Sequence, residues 1–331
     1  MRKIAIIAFA IFVFQAVTSR SVKAQVNPCT QSQTSIVFLA GCVCGPFEPF
    51  LFACTCPSNK CGPSASSNEV KGHSDSGSCP VCLADGNTYI EQSDLHIPGL
   101  GGGLSLVRTW NSRWPSTQTA TQVGLFGPNW RSTYEERIFV GNDGYVKYAR
   151  ADGSFWSFGY SGSNLVPVAP ANATATLVQS SSIWTLTFQN GEKRTFDVNS
   201  GSLTSIIDRN GNTTTVAYDG TNRLTTVTDP VSRHLTFSYA NGSSRLVTGV
   251  SSDVGNLSLS YAYDSQGKLT QVTKPDLTTI SFQYDANAFI SSVLDSNNKV
   301  LESHTYDSAG RALTSSQAGG VNALSLSYPT P

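Results

Sequence analysis

Charged residues are scarce in this chain, and neither sign predominates. Of its 331 residues, 22 are Lys or Arg and 22 are Asp or Glu, which gives a formal net charge of zero. Charged residues make up 13% of the chain, about half the share that is usual in soluble domains. Proteins that neutralise nucleic-acid phosphates carry a basic surface. The composition therefore excludes such a protein, and we predict no nucleic-acid partner.

Methionine and histidine are also rare, with one and four residues respectively. Glycine and proline are common instead, at 28 and 15 residues. Both residue types disfavour helix interiors, because glycine is conformationally free and proline lacks the backbone N–H donor. Long solvent-exposed helices and coiled coils are therefore excluded.

The chain has no hydrophobic run long enough to span a bilayer, which requires about 20 apolar residues. Its longest apolar stretch is residues 4–14, preceded by Arg2 and Lys3 and followed by polar residues and then Val22-Lys23-Ala24. This order is typical of a secretory signal peptide. We predict a signal peptide at residues 1–24, no stable membrane span after its cleavage, and a secreted or cell-surface protein. An uncleaved anchor is the alternative.

Cysteine is absent after Cys82, and all eight cysteines lie between Cys29 and Cys82. Dense cysteines in an exported segment rich in Gly, Pro and Ser favour disulfides, which stabilise a segment that has little apolar core. We predict a disulfide-rich segment at 25–82, although eight cysteines allow 105 pairings. A zinc site is the alternative, but only Cys79 and Cys82 have the two-residue spacing of zinc ligands.

Tyrosine recurs at nearly constant spacing through the carboxyl-terminal half. The positions are Tyr218, Tyr239, Tyr263, Tyr284 and Tyr306, with intervals of 21, 24, 21 and 22 residues, and most are followed by Asp. Phe196-Asp197 lies 22 residues before the first of them and is interpreted as a degenerate copy. A fixed period of this length is the signature of a repeat protein.

Each repeat predicts two short strands and two turns. Apolar residues alternate before the tyrosine, as in Leu235, Phe237 and Tyr239, which indicates a strand with one buried face. The following Asp, often with Gly, favours a tight turn. A second strand with spaced apolar residues then leads to another turn, for example at Asp229-Pro230. Because a lone hairpin is marginal in water, the copies must stack, and the predicted fold class is all-β.

The Tyr-Asp pattern resembles that of the Rhs/YD-repeat family, which includes bacterial Rhs proteins, toxin-complex shell proteins and teneurins. Three upstream segments resemble its amino-terminal Rhs module, at 86–95 (GNTYIEQSDL), 104–112 (LSLVRTWNS) and 126–130 (FGPNW). The resemblance implies an antiparallel YD-repeat sheet that winds as a partial spiral shell. It also implies an amino-terminal Rhs-like β module at 83–160, a Ser/Ala/Pro-rich connection with the first β-hairpin at 161–194, and YD repeats at 195–331.

In toxic members of this family the shell encloses a carboxyl-terminal toxin released at an Asp-Pro-type boundary. Here no toxin domain is expected, and Asp229-Pro230 is interpreted as a structural turn. Tyr328 lies 22 residues after Tyr306, but Pro329 stands where Asp is expected. We therefore expect an array cut off in mid-repeat, with further Rhs sheet or a toxin payload as partners.

No pattern of catalytic or metal-binding residues is evident. His73 precedes Ser74 and Asp75 in a Ser/Gly loop, but adjacency in sequence does not form a triad. The glycines at 99 and 101–103 match no phosphate-binding loop and are interpreted as a turn. Asp208, Asn210 and Asn212 lack the glycine of a calcium loop and fit an Asx turn. We predict no enzyme, no catalytic residue, no cofactor and no metal site.

Two functions therefore remain. The first is a non-catalytic secreted or cell-surface YD-repeat structural protein, a fragment or short relative of Rhs toxin-encapsulating shells. The alternative is a carbohydrate-binding surface adhesin, with Trp110, Trp114 and Trp130 as a glycan platform. Tryptophan is more often buried in a core than exposed, which favours the first function.

Overall fold

The structure is a computed structural model, and it describes residues 36–37, 43–44, 54–55, 81, 86–113, 123–169 and 173–328. The predicted signal peptide, His73, Trp114 and residues 329–331 lie outside the described residues. So does most of the cysteine-rich segment, and its disulfides stay a prediction. Within the described part no helix is long and apolar enough to cross a membrane.

The described residues form 27 strands and two short 3-10 helices, at Leu100–Gly102 and Ala318–Gly320. The strands are β1 (Ile36–Val37), β2 (Val43–Cys44), β3 (Cys54–Thr55), β4 (Tyr89–Ile97), β5 (Leu104–Asn111), β6 (Val123–Gly124), β7 (Gly127–Pro128), β8 (Trp130–Ser132), β9 (Arg137–Val140), β10 (Val146–Ala149), β11 (Phe155–Ser161), β12 (Asn164–Ala169), β13 (Thr176–Gln179), β14 (Ile183–Thr187), β15 (Lys193–Asp197), β16 (Leu203–Ile207), β17 (Thr213–Tyr218), β18 (Leu224–Thr228), β19 (His234–Tyr239), β20 (Val247–Ser252), β21 (Ser258–Tyr263), β22 (Leu269–Thr273), β23 (Thr279–Tyr284), β24 (Ile290–Leu294), β25 (Val300–Tyr306), β26 (Ala312–Gln317) and β27 (Val321–Ser325).

Most of these strands belong to one antiparallel sheet of 19 strands, in which each strand from β9 to β27 pairs with the next along the chain. The first strand of this sheet, β9, also contacts the residues directly before β16. Arg137 forms a bridge with Ser202, and the Ile138 N–H donates to the Gly201 carbonyl at 2.9 Å. The sheet is therefore curved. Three smaller sheets, β1–β3, β4-β5-β8 and β6–β7, precede it. The all-β, antiparallel prediction is confirmed.

The apolar residues of the repeats form one buried layer. Directly opposed pairs are Val216–Val227, Phe237–Val250, Tyr261–Val272 and Phe282–Val293. All eight side chains are buried. Ser and Thr, with some Ala, Gln and Gly, occupy the intervening positions and face the other side, as period-two alternation requires. The predicted strands therefore form with the predicted face in the core.

A β-bulge marks each repeat tyrosine. Tyr218 opposes Leu224 while Ala217 opposes Thr226, so Thr225 is an extra residue in the second strand. The tyrosine of the next repeat donates its hydroxyl to the carbonyl of the residue beside that bulge. Five such bonds of 2.6–2.9 Å join Tyr239 to Leu224, Tyr263 to Val247, Tyr284 to Leu269, Tyr306 to Ile290 and Tyr328 to Ala312. These bonds, which we call the tyrosine ladder, fix the spacing of successive repeats.

The Asp after the tyrosine closes the turn. In the repeat that begins at Tyr218, one carboxylate oxygen of Asp219 accepts the backbone N–H groups of Thr221 and Arg223 at 2.9 and 3.0 Å. The other oxygen accepts the Arg223 side chain at 2.7 Å. The Arg223 guanidinium then lies over the ring of Tyr239, 4.8 Å from its centroid. The predicted Asx turn is thus also a contact between repeats. The same pattern forms at Asp208 and Asp229, which confirms both interpretations as structural turns.

Replacing a ladder tyrosine by phenylalanine is expected to destabilise the fold by about 1 kcal/mol, the usual net contribution of one hydrogen bond. Tyr263→Phe removes the hydroxyl that donates to the Val247 carbonyl and keeps the ring. Denaturant unfolding measures the change. Tyr160→Phe is the matched control, because Tyr160 is 63% exposed. Equal stability of the two variants would contradict the role of the ladder.

Candidate functional site

The most deeply buried charge among the described residues lies within the predicted amino-terminal module, in its part at residues 86–113 and 123–134, which we call the module from here on. Arg108 on β5 is 0% exposed, and Asp94 on β4 is 6% exposed. The register between the two strands shifts around Asp94, since Ser93 opposes Val107 and Leu95 opposes Leu106. Bulges re-aim a side chain. Here the bulge turns the Asp94 carboxylate towards Arg108.

Asp94 and Arg108 form a two-point ion pair that also reaches the repeats. The Arg108 Nη2 donates to Asp94 Oδ1 at 2.8 Å, and Nε donates to Oδ2. The hydroxyl of Tyr261, on β21 of the repeats, donates to the same Oδ2 at 2.8 Å. Such charge-assisted, bidentate bonds are stronger than neutral ones. One carboxylate therefore joins residues that are 167 positions apart in sequence.

Aromatic rings enclose the Arg108 guanidinium. Its central carbon lies 4.7 Å from the ring centroid of Trp130, 5.4 Å from that of Phe126 and 5.5 Å from that of Tyr261. The remaining nitrogen, Nη1, has no hydrogen-bond partner. Cation–π attraction to the rings partly replaces the lost hydration. We call Asp94, Arg108, Tyr261 and these rings the arginine cluster.

Burial and charge shift the pKa values in this cluster. Burial alone would lower the pKa of Arg108, but the Asp94 carboxylate raises it above its ordinary value. Burial, followed by the nearby Asp94 charge, raises the pKa of Tyr261 well above its usual 10. Both groups therefore stay in the protonation state that the hydrogen bonds require.

The module contacts one repeat after another along the sheet. Four hydrogen bonds of 2.7–3.0 Å join the module to the repeats. The carbonyls of Pro98, Leu125 and Gly86 accept from Arg233, Val247 and Ala312, and the Ser112 hydroxyl donates to the Gly310 carbonyl. Aromatic contacts add Trp130 with Phe282 and Trp110 with Tyr306. The module therefore packs against the buried layer of the repeats and fills the concave side of the sheet there.

Two further carboxylates follow the module, the half-buried Glu135 and the buried Glu136, and both have partners. Glu135 accepts the Leu125 N–H at 2.7 Å and the Ser132 hydroxyl at 2.8 Å. Glu136 accepts the Tyr148 hydroxyl at 2.7 Å. Burial raises the pKa of each, against the opposing effect of nearby arginines. Their donors are fixed parts of the fold, so the arrangement is that of a structural network.

The structure places the sequence-predicted residues in structural positions. Trp110 and Trp130 are 1% and 0% exposed, so they cannot form the surface of a glycan platform, and that hypothesis loses two of its three tryptophans. His234 bonds Thr228 at 3.0 Å. The glycines at 99 and 101–103 form a 3-10 turn, with Gly101 beside Pro230. Sequence reasoning missed the arginine cluster, because its members are far apart in the chain.

Family comparisons agree with the repeat architecture. A family model for a domain of unknown function (DUF6531) matches residues 78–158, and one for the teneurin YD-shell matches residues 171–315. The chain is a YD-repeat protein.

Curated relatives align with only part of this YD-repeat protein. It is 30% identical over 142 residues to the tRNA3(Ser)-specific nuclease WapA of Bacillus spizizenii, and 29% identical over 142 residues to the tRNA nuclease WapA of Bacillus subtilis. Each match covers 43% of this chain and 6% of the relative. The chain thus corresponds to a small part of these proteins.

Solved structures resemble the YD-repeat protein weakly. The crystal structure of TcdB2-TccC3-Cdc42 is 14% identical with a TM-score of 0.29, covering 57% of this chain and 12% of that one. The Tc holotoxin pore of Photorhabdus luminescens is 14% identical with a TM-score of 0.31, covering 57% and 11%. A porin-like protein from Bacteroides uniformis is 11% identical with a TM-score of 0.29, covering 68% and 92%. Scores of this size carry no inference.

Removing the buried arginine is expected to destabilise the fold strongly. Arg108→Met leaves the Asp94 carboxylate buried without its cation, for which the loss in the free energy of unfolding is about 3–5 kcal/mol. Denaturant unfolding measures it, with the exposed Arg245→Met as the control. The double variant Asp94→Asn with Arg108→Met is expected to recover part of the loss. A change as small as that of Arg245→Met would contradict the central role of the cluster.

Alkaline pH is expected to unfold the repeats. Burial raises the pKa of Tyr218, Tyr239, Tyr263, Tyr284 and Tyr306 above the ordinary value of 10.0. Because the folded-state pKa is raised, the stabilisation is fully present below about pH 10 and is lost as pH rises through the folded-state values. The ultraviolet signal of tyrosinate and the loss of the β circular-dichroism signal should appear together. Ionisation of these tyrosines well before unfolding would contradict the prediction.

Proposed function

We propose that this YD-repeat protein is an exported, non-catalytic structural protein, a section of a partial spiral shell whose repeats wind around the amino-terminal module. The observation that carries the proposal is the arginine cluster. It places a carboxylate of the module against a tyrosine of the repeats, in a fully enclosed position. A buried, internally paired charge of this kind favours a scaffold over a reaction site.

The composition of the two faces supports the same role. The buried layer is apolar, whereas the Ser and Thr of the opposite face carry no net charge. Such a surface suits a wall that encloses or supports another segment, and further YD-repeat sheet or a toxin payload are the partners that we propose. The nuclease activity named for the relatives is not proposed here, because the neutral composition does not suit tRNA phosphates.

Export is part of the proposal and has a direct test. The residues 1–24 predict cleavage after Ala24. In a bacterial host, the exported protein is expected to begin at Gln25, as amino-terminal sequencing would show. A chain that lacks residues 2–24 is the control and is expected to remain inside the cell. Equal export of both chains would contradict this part of the proposal.

The structural role predicts that the array accepts more repeats. Replacing residues 329–331 by a copy of residues 264–306 places an Asp after Tyr328 and adds two repeats in phase. Because repeat proteins gain stability from nearest-neighbour contacts, the extended chain is expected to unfold in one transition at a higher denaturant concentration. The control carries the same extension with the tyrosines and aspartates of its Tyr-Asp pairs replaced by serine.

Two results would contradict the proposal. The first is an extension that unfolds separately or leaves the midpoint unchanged, which would indicate that the sheet is not an extensible wall. The second is specific binding of the purified chain on a glycan array, which would favour the adhesin.

A further inference from the structure

The last complete repeat replaces its apolar layer with polar side chains. In the preceding repeat this layer consists of Ile280, Phe282 and Val293, with Phe282 opposite Val293. In the last complete repeat, Glu302 and His304 take the positions of Ile280 and Phe282, four and two residues before the tyrosine. Ser315 takes the position of Val293 on the returning strand. His304 directly opposes Ser315. Three apolar positions have thus changed together, each to a side chain used in nucleophilic chemistry.

The three polar side chains lie in one line, in which Glu302 is half-buried and the other two are buried. His304 Nδ1 is 3.1 Å from Ser315 Oγ, and both residues are 3% exposed. On the other side of the ring, His304 Nε2 is 3.4 Å from Glu302 Oε2. That second contact is too poorly aligned for a hydrogen bond, and both of its atoms are buried without another hydrogen-bond partner.

Stability alone does not account for this change. A buried polar set generally contributes no more to folding than well-packed apolar residues of similar volume, and an incompletely satisfied set contributes less. Positions that break a local rule of the fold are often functional. The register between β26 and β27 also shifts directly after Ser315. Bulges are frequent next to reactive sites.

We propose that Ser315 is an activated nucleophile that accepts an acyl group from a small carboxylic ester. A serine activated by a base that a third group orients is the general arrangement of covalent catalysis. Here Ser315 donates its hydroxyl proton towards Nδ1 of His304. The remaining N–H of the ring, on Nε2, faces Glu302, which orients the ring and stabilises it when it becomes charged.

Atoms and charge balance in this acyl transfer. The Ser315 oxygen attacks the ester carbonyl carbon, and its proton passes to His304 Nδ1. The bond from that carbon to the alcohol oxygen then breaks, and the alcohol leaves with the proton from His304. The product is one ester on Ser315. Because acylation uses up the Ser315 hydroxyl, we expect one transfer per chain. A structural protein with a covalent acylation site is consistent with the function proposed above.

The full chain is tested with two small reagents, p-nitrophenyl acetate and phenylmethanesulfonyl fluoride. The first is expected to release one p-nitrophenolate per chain in a burst and to leave one acetyl group on the peptide that contains Ser315. The second is expected to form an Oγ–S bond at the same serine with loss of fluoride. Peptide mass spectrometry identifies the modified residue.

Matched variants separate reactivity from folding. Ser315→Ala is expected to abolish both adducts, and His304→Gln to slow them at least tenfold. Ser316→Ala is the control, because the Ser316 hydroxyl bonds the hydroxyl of Ser303, at 2.9 Å, and not His304. The combined variant Glu302→Ile, His304→Phe and Ser315→Val restores the layer of the preceding repeat. It is expected to stay folded by circular dichroism, with no adduct.

Two results would overturn the proposal. One is the absence of an adduct on Ser315 in the folded wild-type chain, or labelling of Ser316 to the same extent. The other is an adduct whose rate is unchanged in His304→Gln. Because neither result affects the repeat-extension experiment, this inference and the proposed function fail independently.

Discussion

The hydrogen bond from each ladder tyrosine, Tyr239 to Tyr328, to the backbone of the preceding repeat is the interaction on which the sheet depends. An extra residue on the second strand of each repeat, such as Thr225, interrupts the backbone ladder beside Leu224. The Tyr239 hydroxyl then supplies a donor to the Leu224 carbonyl. A buried or half-buried carbonyl without a donor is costly. The bulge and the tyrosine of the next repeat therefore require each other, which explains why the tyrosine recurs every 21 to 24 residues while the residues between are variable.

The aspartate that follows the tyrosine also links one repeat to the next, through the turn. Its carboxylate closes the turn and positions a basic residue four places later, which lies over the tyrosine of the next repeat. Arg223 over Tyr239, Lys268 over Tyr284 and Arg311 over Tyr328 are examples. Where Phe289 replaces the basic residue, it packs on Tyr306 with ring centroids 5.2 Å apart. Each repeat thus specifies where its successor lies.

Most of the repeat architecture could be predicted from the sequence, because its information is local. Alternation, the Tyr-Asp pair and the turn residues lie within one repeat, and the strands and turns formed as predicted. The arginine cluster could not be predicted in this way. Asp94 and Tyr261 are 167 positions apart in sequence. The direction of the Asp94 side chain depends on a β-bulge that the residue pattern does not indicate. The burial of Trp110 and Trp130 was favoured by general preference, but only the packing against Tyr306 and Phe282 explains it.

The polar layer at Glu302, His304 and Ser315 follows from the same modular energetics. In a repeat array each unit contacts chiefly its neighbours, so a change in one layer affects local stability and leaves distant layers intact. The array therefore tolerates one unfavourable layer more readily than a single compact core would. Tyr261 is a second example, since its hydroxyl also interrupts an apolar layer and is bound by Asp94. A polar group in this layer is thus tolerated where it forms a hydrogen bond with a specific partner. For Tyr261 the chain itself supplies that partner, whereas the contact between His304 and Glu302 is left without a well-formed hydrogen bond.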